Sequence, residues 1–278
     1  MLGRLVIFGG TGFLGSAVVR EARGRNLSVV AVARGNRRST AGFFPDVIAD
    51  ITRPGSLPGT IRHGDVVLNL VGLSPVRRPR GGRRAYGDAH LRGTRNLTNL
   101  ADTVGAQRFI YISALGVHRD CGAAYGETKA LAEATVRRAR TPSVVIAPSL
   151  ILGPGSEISA ALEMISHLPL RWIPVPDITA AFRPTDVADA ARTIVDWADG
   201  TIRGTTHEYV PLVGPERVTG FEIAANHLTY RGKKVIRVPA AAIRPFIALI
   251  SGLKLPGMPA DLQTMLAIDN AGDAPTVG

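Results

Sequence analysis

The chain has 278 residues, 45% hydrophobic and 20% charged, a balance that suits one large domain with an appended lobe and excludes global disorder. Its 33 Lys and Arg against 22 Asp and Glu leave a formal charge of +11, which favours anionic partners. The single cysteine, Cys121, excludes a disulfide framework and fits a cytoplasmic protein.

The chain runs directly into RLVIFG, a strand, with no signal-peptide pattern before it. GFLGSAVVREARGR reads as a helix, LSVVAVAR as a second strand, DVIAD as a short third and DVVLNLVG as a fourth. The cluster PVRRPRGGRRAYG at 75–87 is the densest in positive charge. Its prolines and glycines argue against a helix, leaving a solvated loop or a loop over a phosphate-bearing ligand. No zinc-finger, homeodomain or RNA-motif pattern accompanies it, so no specific nucleic-acid partner is expected. A helix at about 86–105 puts Leu97, Leu100, Ala101 and Val104 on one face. QRFIYIS is a fifth strand, a helix follows at about 124–140, and SVVIAPS is a sixth strand.

These strands are near-continuous apolar runs, as expected of strands buried on both faces by helices. The expected fold is α/β, a doubly wound parallel sheet with a smaller C-terminal substrate lobe. After Ser149 the rhythm changes. RWIPVPDITAAFRP is proline-rich and reads as irregular. A helix at about 185–198, THEYVPLV, a helix near 220–230 and KKVIRVP follow. The large domain is expected over 1–150 plus about 183–204, and the lobe over 151–182 and 205–278. VPAAAIRPFIALISGLKLPG at 238–257 is broken by Arg244 and Pro245 and falls short of the roughly 20 apolar residues of a membrane span. It reads as a helix packed on the core, with peripheral membrane contact as the alternative. The closing DNAGDAPTVG is expected to be loosely held.

FGGTGFLG joins the first strand to the first helix, with Gly9, Gly12 and Gly15 at G-x-x-G-x-x-G spacing. Glycines let a pyrophosphate approach the backbone, and free N–H groups at the helix start receive it. The context predicts a Rossmann dinucleotide site. NAD-preferring sites place an acid at the end of the second strand. Here Arg34 stands there, with Arg37 and Arg38 beyond. Guanidinium groups suit a 2′-phosphate, which favours NADP over NAD. Asp50, ending the third strand, is a candidate for the adenine amino group or an ordinary cap. The cofactor set is Gly9, Thr11, Gly12, Phe13, Leu14, Gly15, Arg34, Asp50, Ile51, Leu70, Val71, Gly72, Lys129 and Pro148.

GGTGFLG, VVLNLVG, GTRNL, FIYISALG, YGETKA and PSLILGPG occur in this order over about residues 1–155, and FRPTDVADA extends the series to about 190. On these motifs the sequence resembles the short-chain dehydrogenase/reductase superfamily, in its extended and atypical branches. LNLVG, YISALG and PSLILGPGSE resemble the subgroup that includes the NADPH-binding accessory subunit of respiratory complex I, among proteins described as nucleotide-sugar-epimerase-like. The resemblance implies a tyrosine acid/base, Tyr125, with Lys129 one helical turn later to lower its pKa and bind the nicotinamide ribose. It implies a hydroxyl that polarises the substrate. The usual serine falls at Ala114, with Ser113 just before it, and adjacent strand side chains point to opposite faces. The usual asparagine before GT-x-NL is His90, read as a capping or packing residue. The catalytic set is thus Tyr125, Lys129 and Ser113. Two functions are carried forward: a nicotinamide-dependent oxidoreductase or epimerase-like enzyme acting on a small molecule, and a non-catalytic NADPH-binding structural or regulatory subunit. A homodimer is open, as some relatives pair through helices flanking the sheet. Cys121 reads as an incidental thiol, Arg183 as a surface arginine or a contact to an anionic substrate. His118, His167, His207 and His227 lack metal-ligand spacing.

Overall fold

The apolar runs form strands in which successive side chains serve opposite helix layers. The computed structural model describes residues 3–36, 38–76, 79–204, 206–239, 242 and 260–272. In chain order the first half comprises β1 (Leu5–Phe8), α1 (Phe13–Gly24), β2 (Val29–Ala33), β3 (Val47–Ile48), β4 (Val66–Asn69), α2 (Gly82–Tyr86), a π-helical segment (Gly87–Arg92), α3 (Gly93–Val104), β5 (Arg108–Ile112), α4 (Ala124–Arg137) and β6 (Ser143–Pro148). The second half comprises β7 (Ile151–Leu152), α5 (Glu157–Ser166), β8 (Trp172–Pro176), β9 (Ala181–Phe182), β10 (Thr185–Asp186), α6 (Val187–Asp199), β11 (Glu208–Leu212), β12 (Val218–Thr219), α7 (Gly220–Tyr230), β13 (Lys234–Val238) and α8 (Ala260–Leu266).

Seven parallel strands form the main sheet in the order β11-β6-β5-β4-β1-β2-β3. Leu5, Ile7, Leu68, Ile110 and Ile146 pack with Val18 and Val19 of α1 and Ile194 and Val195 of α6. Val6, Phe8, Val67, Phe109, Tyr111 and Val145 face the other way, onto Leu97 and Ala101 of α3 and Ala132 and Val136 of α4. Strand alternation thus divides each apolar run between two cores, which is why no polar alternation is visible in the sequence. Arg25 ties the first layer together: its guanidinium meets Asp196 at 2.6 Å, Glu21 at 2.8 Å and Asp199 at 3.0 Å. Among these the Asp196 bond is the strongest influence holding the Arg25 pKa above its ordinary value.

Three elements differ from the sequence expectation. THEYVPLV, assigned to the lobe, supplies β11, the seventh strand, beside β6. It carries Pro211 and is mostly half-buried because it is an edge, where a missing N–H is tolerated. The basic cluster at 75–87 is partly helical: Gly82–Tyr86 is α2, entered through Gly81 at φ 97°. Its glycines permit this turn, and the helix then runs on without a break to Val104. The proline-rich RWIPVP is a strand, β8, paired with β13.

The lobe has its own small core of Ile173, Val175 and Leu228, backed by Ile165, Phe221, Ala224 and Val235. Its helices start at sequence-encoded caps. Ser156 caps α5, and Thr219 with Glu222 forms a capping box on α7. Most of 238–257, with Arg244 and Pro245, and the closing residues 273–278 lie outside the described residues. Among the described residues no helix is long and apolar enough to cross a membrane.

Candidate active site

The chain passes from β1 to β2 and β3 on one side and returns to β4 on the other. The crevice at the carboxyl ends of these strands is where a ligand sits in such a sheet. The glycine loop opens it. Gly9 has φ +82°, a conformation L side chains rarely adopt, and its N–H and that of Gly10 bond the Val32 carbonyl. A Cβ at Gly15 would lie 2.1 Å from the Gly9 carbonyl oxygen, so that position admits glycine alone. No side chain caps α1, which starts after Gly12 with Phe13 and Leu14 in its first turn beside Thr11. The bare, positively polarised helix start fits a pyrophosphate.

Arg34 is exposed just past β2. Arg38 bonds the Gly42 carbonyl through Nε, and Arg37 lies outside the described residues. Asp50 accepts from the Thr52 amide and hydroxyl, a local turn. Ile51 is buried against Gly93, and its carbonyl accepts from Asn96. Leu70, Val71 and Gly72 follow β4, with the Leu70 amide on the Phe8 carbonyl and the Val71 amide on Asn69. Pro148 ends β6, where its carbonyl accepts from Leu115. The backbone thus brings the glycine loop, residues 70–72 and Pro148 to one edge of the sheet. Arg34 and Asp50 lie past the ends of β2 and β3, on the opposite side of β1 from β4 and β6.

Tyr125 and Lys129 occupy one face of the first turns of α4. Tyr125 is half-buried. Burial, and then the neighbouring Tyr86, hold its phenol pKa above the ordinary value. The Lys129 ammonium is 5.7 Å from the Tyr125 ring centroid and donates to the Ile112 carbonyl at 2.9 Å. Only 5% of Lys129 is exposed, and burial lowers its pKa to about 8 against an opposing pull from Glu133.

His90 completes the wall. Its ring lies 5.5 Å from both Tyr86 and Tyr125, edge-on to the latter. The Thr128 hydroxyl donates to the Ala124 carbonyl at 2.7 Å, so His90 Nδ1 must donate to that oxygen, 2.9 Å away. His90 Nε2 is then the acceptor for the Leu73 amide at 3.1 Å. Burial and then the Lys129 charge drive its pKa well below normal, so His90 is a neutral, tautomer-locked support. It fixes the 72–73 turn, whose Gly72 sits over both His90 and Lys129.

Ser113 is placed differently from the substrate-facing role expected of it. It shares the Phe109–Tyr111 face of β5, and its hydroxyl donates to Glu133 on α4. Burial raises the Glu133 pKa, while the Ser113 bond, Arg137 and Lys129 pull it back. The residue presented beside Tyr125 is Ala114. Strand alternation is the cause.

Tyr125 opens on a pocket of about 280 Å³ that reaches Phe13 of the glycine loop. Asn270 and Met265 line it too, and sequence reasoning gave no hint of either. Asn270 is held by its backbone amide on the Ala181 carbonyl and its Nδ2 on the Leu115 carbonyl, while its buried Oδ1 has no partner among the described residues. Arg183 is turned away, its Nε on the Gly214 carbonyl. Cys121 is buried against Gly126 and Met265. Among the described residues no group of His, Cys, Asp and Glu could hold a metal ion.

α8 also anchors α4. The Asp261 carboxylate accepts from the Ala124 amide at 2.7 Å, a cap supplied from far along the chain to a helix with no side-chain cap of its own. Asp261→Ala is expected to cost about 1 kcal/mol and lower Tm by about 2–4 °C. Differential scanning calorimetry checks this, and an unchanged Tm would remove the cap from the account.

The sequence model of the NAD dependent epimerase/dehydratase family matches residues 5–173. The chain belongs to that family. Among curated relatives of this family member, it is 24% identical over 268 residues to the mitochondrial NADH-ubiquinone oxidoreductase 40 kDa subunit of Neurospora crassa, covering 92% of this chain and 68% of that one. It is 28% identical over 233 residues to the mitochondrial NADH dehydrogenase [ubiquinone] 1 alpha subcomplex subunit 9 of Arabidopsis thaliana, covering 78% of this chain. The chain spans only 55% of that relative's length. Of solved structures, MoeE5 in complex with UDP-glucuronic acid and NAD aligns over 86% of both chains with a TM-score of 0.69 and 20% identity. That likeness establishes the fold.

Proposed function

We propose that this family member is an NADP-dependent oxidoreductase or epimerase-like enzyme in which Tyr125 is the acid/base group. The observation that carries the reading is a single pocket with Tyr125 on one wall and Phe13 of the glycine loop on another, Lys129 lying one helical turn behind Tyr125. When bound, a nicotinamide dinucleotide supplies the redox equivalent for a carbonyl or alcohol carbon. The backbone of Gly9–Gly15, with Thr11, Phe13 and Leu14, would hold the pyrophosphate. Arg34 would meet the 2′-phosphate, Asp50 and Ile51 the adenine, and Leu70, Val71, Gly72 and Pro148 the faces between. Lys129 would bind the nicotinamide ribose, and its charge would draw the raised Tyr125 pKa down toward working pH. Ser113 acts through Glu133, which favours the charged form of Lys129.

A second reading is a cofactor-holding subunit without turnover. The observation favouring it is Ala114 in the pocket where a hydroxyl would polarise the substrate. Both readings need the dinucleotide. Titration of the protein with NADPH and NADH is expected to show tighter NADPH binding. Arg34→Ala is expected to weaken NADPH by about tenfold, the scale of one charge-assisted contact, and leave NADH unchanged. Preference for NADH would overturn the assignment of Arg34. Binding of neither would remove both readings.

A further inference from the structure

We propose that the substrate is an amphiphile whose polar end meets Tyr125 and whose apolar arm, an acyl or isoprenoid chain, lies in a second cavity in the small lobe. This rests on the reading of Tyr125 as the acid/base group. The cavity has a volume of about 210 Å³ and lies between α5, α7, α8 and β8. All of its described lining residues are apolar, without one charged, amide or hydroxyl side chain. Val76, Leu150, Ile158, Phe182, Leu262 and Leu266 line both this cavity and the Tyr125 pocket, so the two spaces adjoin across these side chains.

The chemistry of the two spaces differs along that path. At the Tyr125 end stands the buried Asn270 Oδ1, an acceptor without a partner among the described residues and thus a place for a substrate hydroxyl. Beyond Phe182 and Leu262 the walls offer only hydrocarbon. A nucleoside diphosphate there would lose its hydration and gain no donors for its phosphates. A preformed apolar cavity instead takes an apolar group, whose affinity grows with each buried methylene.

The test uses the full chain and cis-parinaric acid, a fluorescent polyene fatty acid, displaced by straight-chain primary alcohols of increasing length. Saturable parinaric acid binding is expected. Alcohol affinity should rise about fourfold per methylene and level once the cavity is filled. Ala224→Trp, which fills the cavity from α7, should bring that plateau to shorter chains and leave NADPH binding unchanged. Should it fail to fold, Leu228→Ala enlarges the same space and should move the plateau to longer chains. Length-independent alcohol affinity, or absence of parinaric acid binding with NADPH binding intact, overturns the proposal and leaves the cofactor reading standing. Displacement of parinaric acid by a UDP-hexose at concentrations where short alcohols fail would also overturn it. Length-dependent binding with turnover unaffected by Tyr125→Phe would support the cavity and remove the acid/base reading.

Discussion

Tyr125→Phe should lower turnover by about 10³-fold, the range of a lost general acid/base, while leaving NADPH affinity and Tm almost unchanged. The phenol oxygen is the only atom removed. The ring contacts with Tyr86, at 6.0 Å, and with His90, at 5.5 Å, survive in the variant. Stability is therefore expected to hold, which separates chemistry from folding. The pH profile gives a second handle. As the acid/base group Tyr125 must carry a proton for carbonyl reduction, and burial opposes its loss while the Lys129 charge favours it. On raising pH, Lys129 loses its charge near 8. For reduction, kcat/KM should fall as pH rises past that value. Retained turnover in Tyr125→Phe would remove Tyr125 as the acid/base group, and absence of turnover in the unaltered protein would leave the cofactor-holding subunit as the better reading.

Lys129→Met should make the protein more stable and inactive. An ammonium only 5% exposed, with its pKa brought from 10.5 to about 8, carries a burial cost on the order of 3 kcal/mol at neutral pH. The unfolded chain holds this proton up to about 10.5 and the folded chain only to about 8, so the unfolded state binds more protons between those values. The penalty is therefore complete below pH 8 and fades as pH rises toward 10.5. Methionine matches the aliphatic stem, but it strands the Ile112 carbonyl that Lys129 Nζ serves at 2.9 Å, a loss of about 1 kcal/mol. The net gain at pH 7 should be about 2 kcal/mol, or about 4 °C in Tm. Thermal melts of both proteins at pH 7 and pH 10 check it, and the gap should close at the higher pH. A lower Tm for the variant at pH 7 would mean that Glu133 more than offsets the burial of Lys129.

The sheet was legible because its strands are apolar on both sides. Leu5–Phe8 and Val66–Asn69 leave no position for a polar residue facing water. β11 was not, because Glu208–Leu212 is an edge strand with a proline and a charged residue, which also suits a loop. The glycine loop and the Tyr125–Lys129 pair were legible because each lies within one local element of fixed period. The turned hydroxyl of Ser113 follows from the same alternation that sorts the strands. Tyr86, Asn270 and Asp261 were not legible, since nothing local marks them. Only the return of α2 and α8 onto α4 brings them to the site.

The π-helical segment at Gly87–Arg92 acts as a phase shifter. α2, this segment and α3 form one uninterrupted helix from Gly82 to Val104. In a regular helix each residue turns by about 100°, so one residue too many in a turn rotates everything before it by that angle relative to everything after it. That rotation lets Leu97 and Ala101 address the sheet while Tyr86 and His90 address Tyr125. The wall of the pocket and its mooring to the core are thus set by one counting irregularity rather than by two separate helices. Deleting a single residue there would give a more ideal helix and swing Tyr86 out of the site. Insertions and deletions in this stretch are therefore mutations of the pocket, although none of the residues gained or lost need touch it.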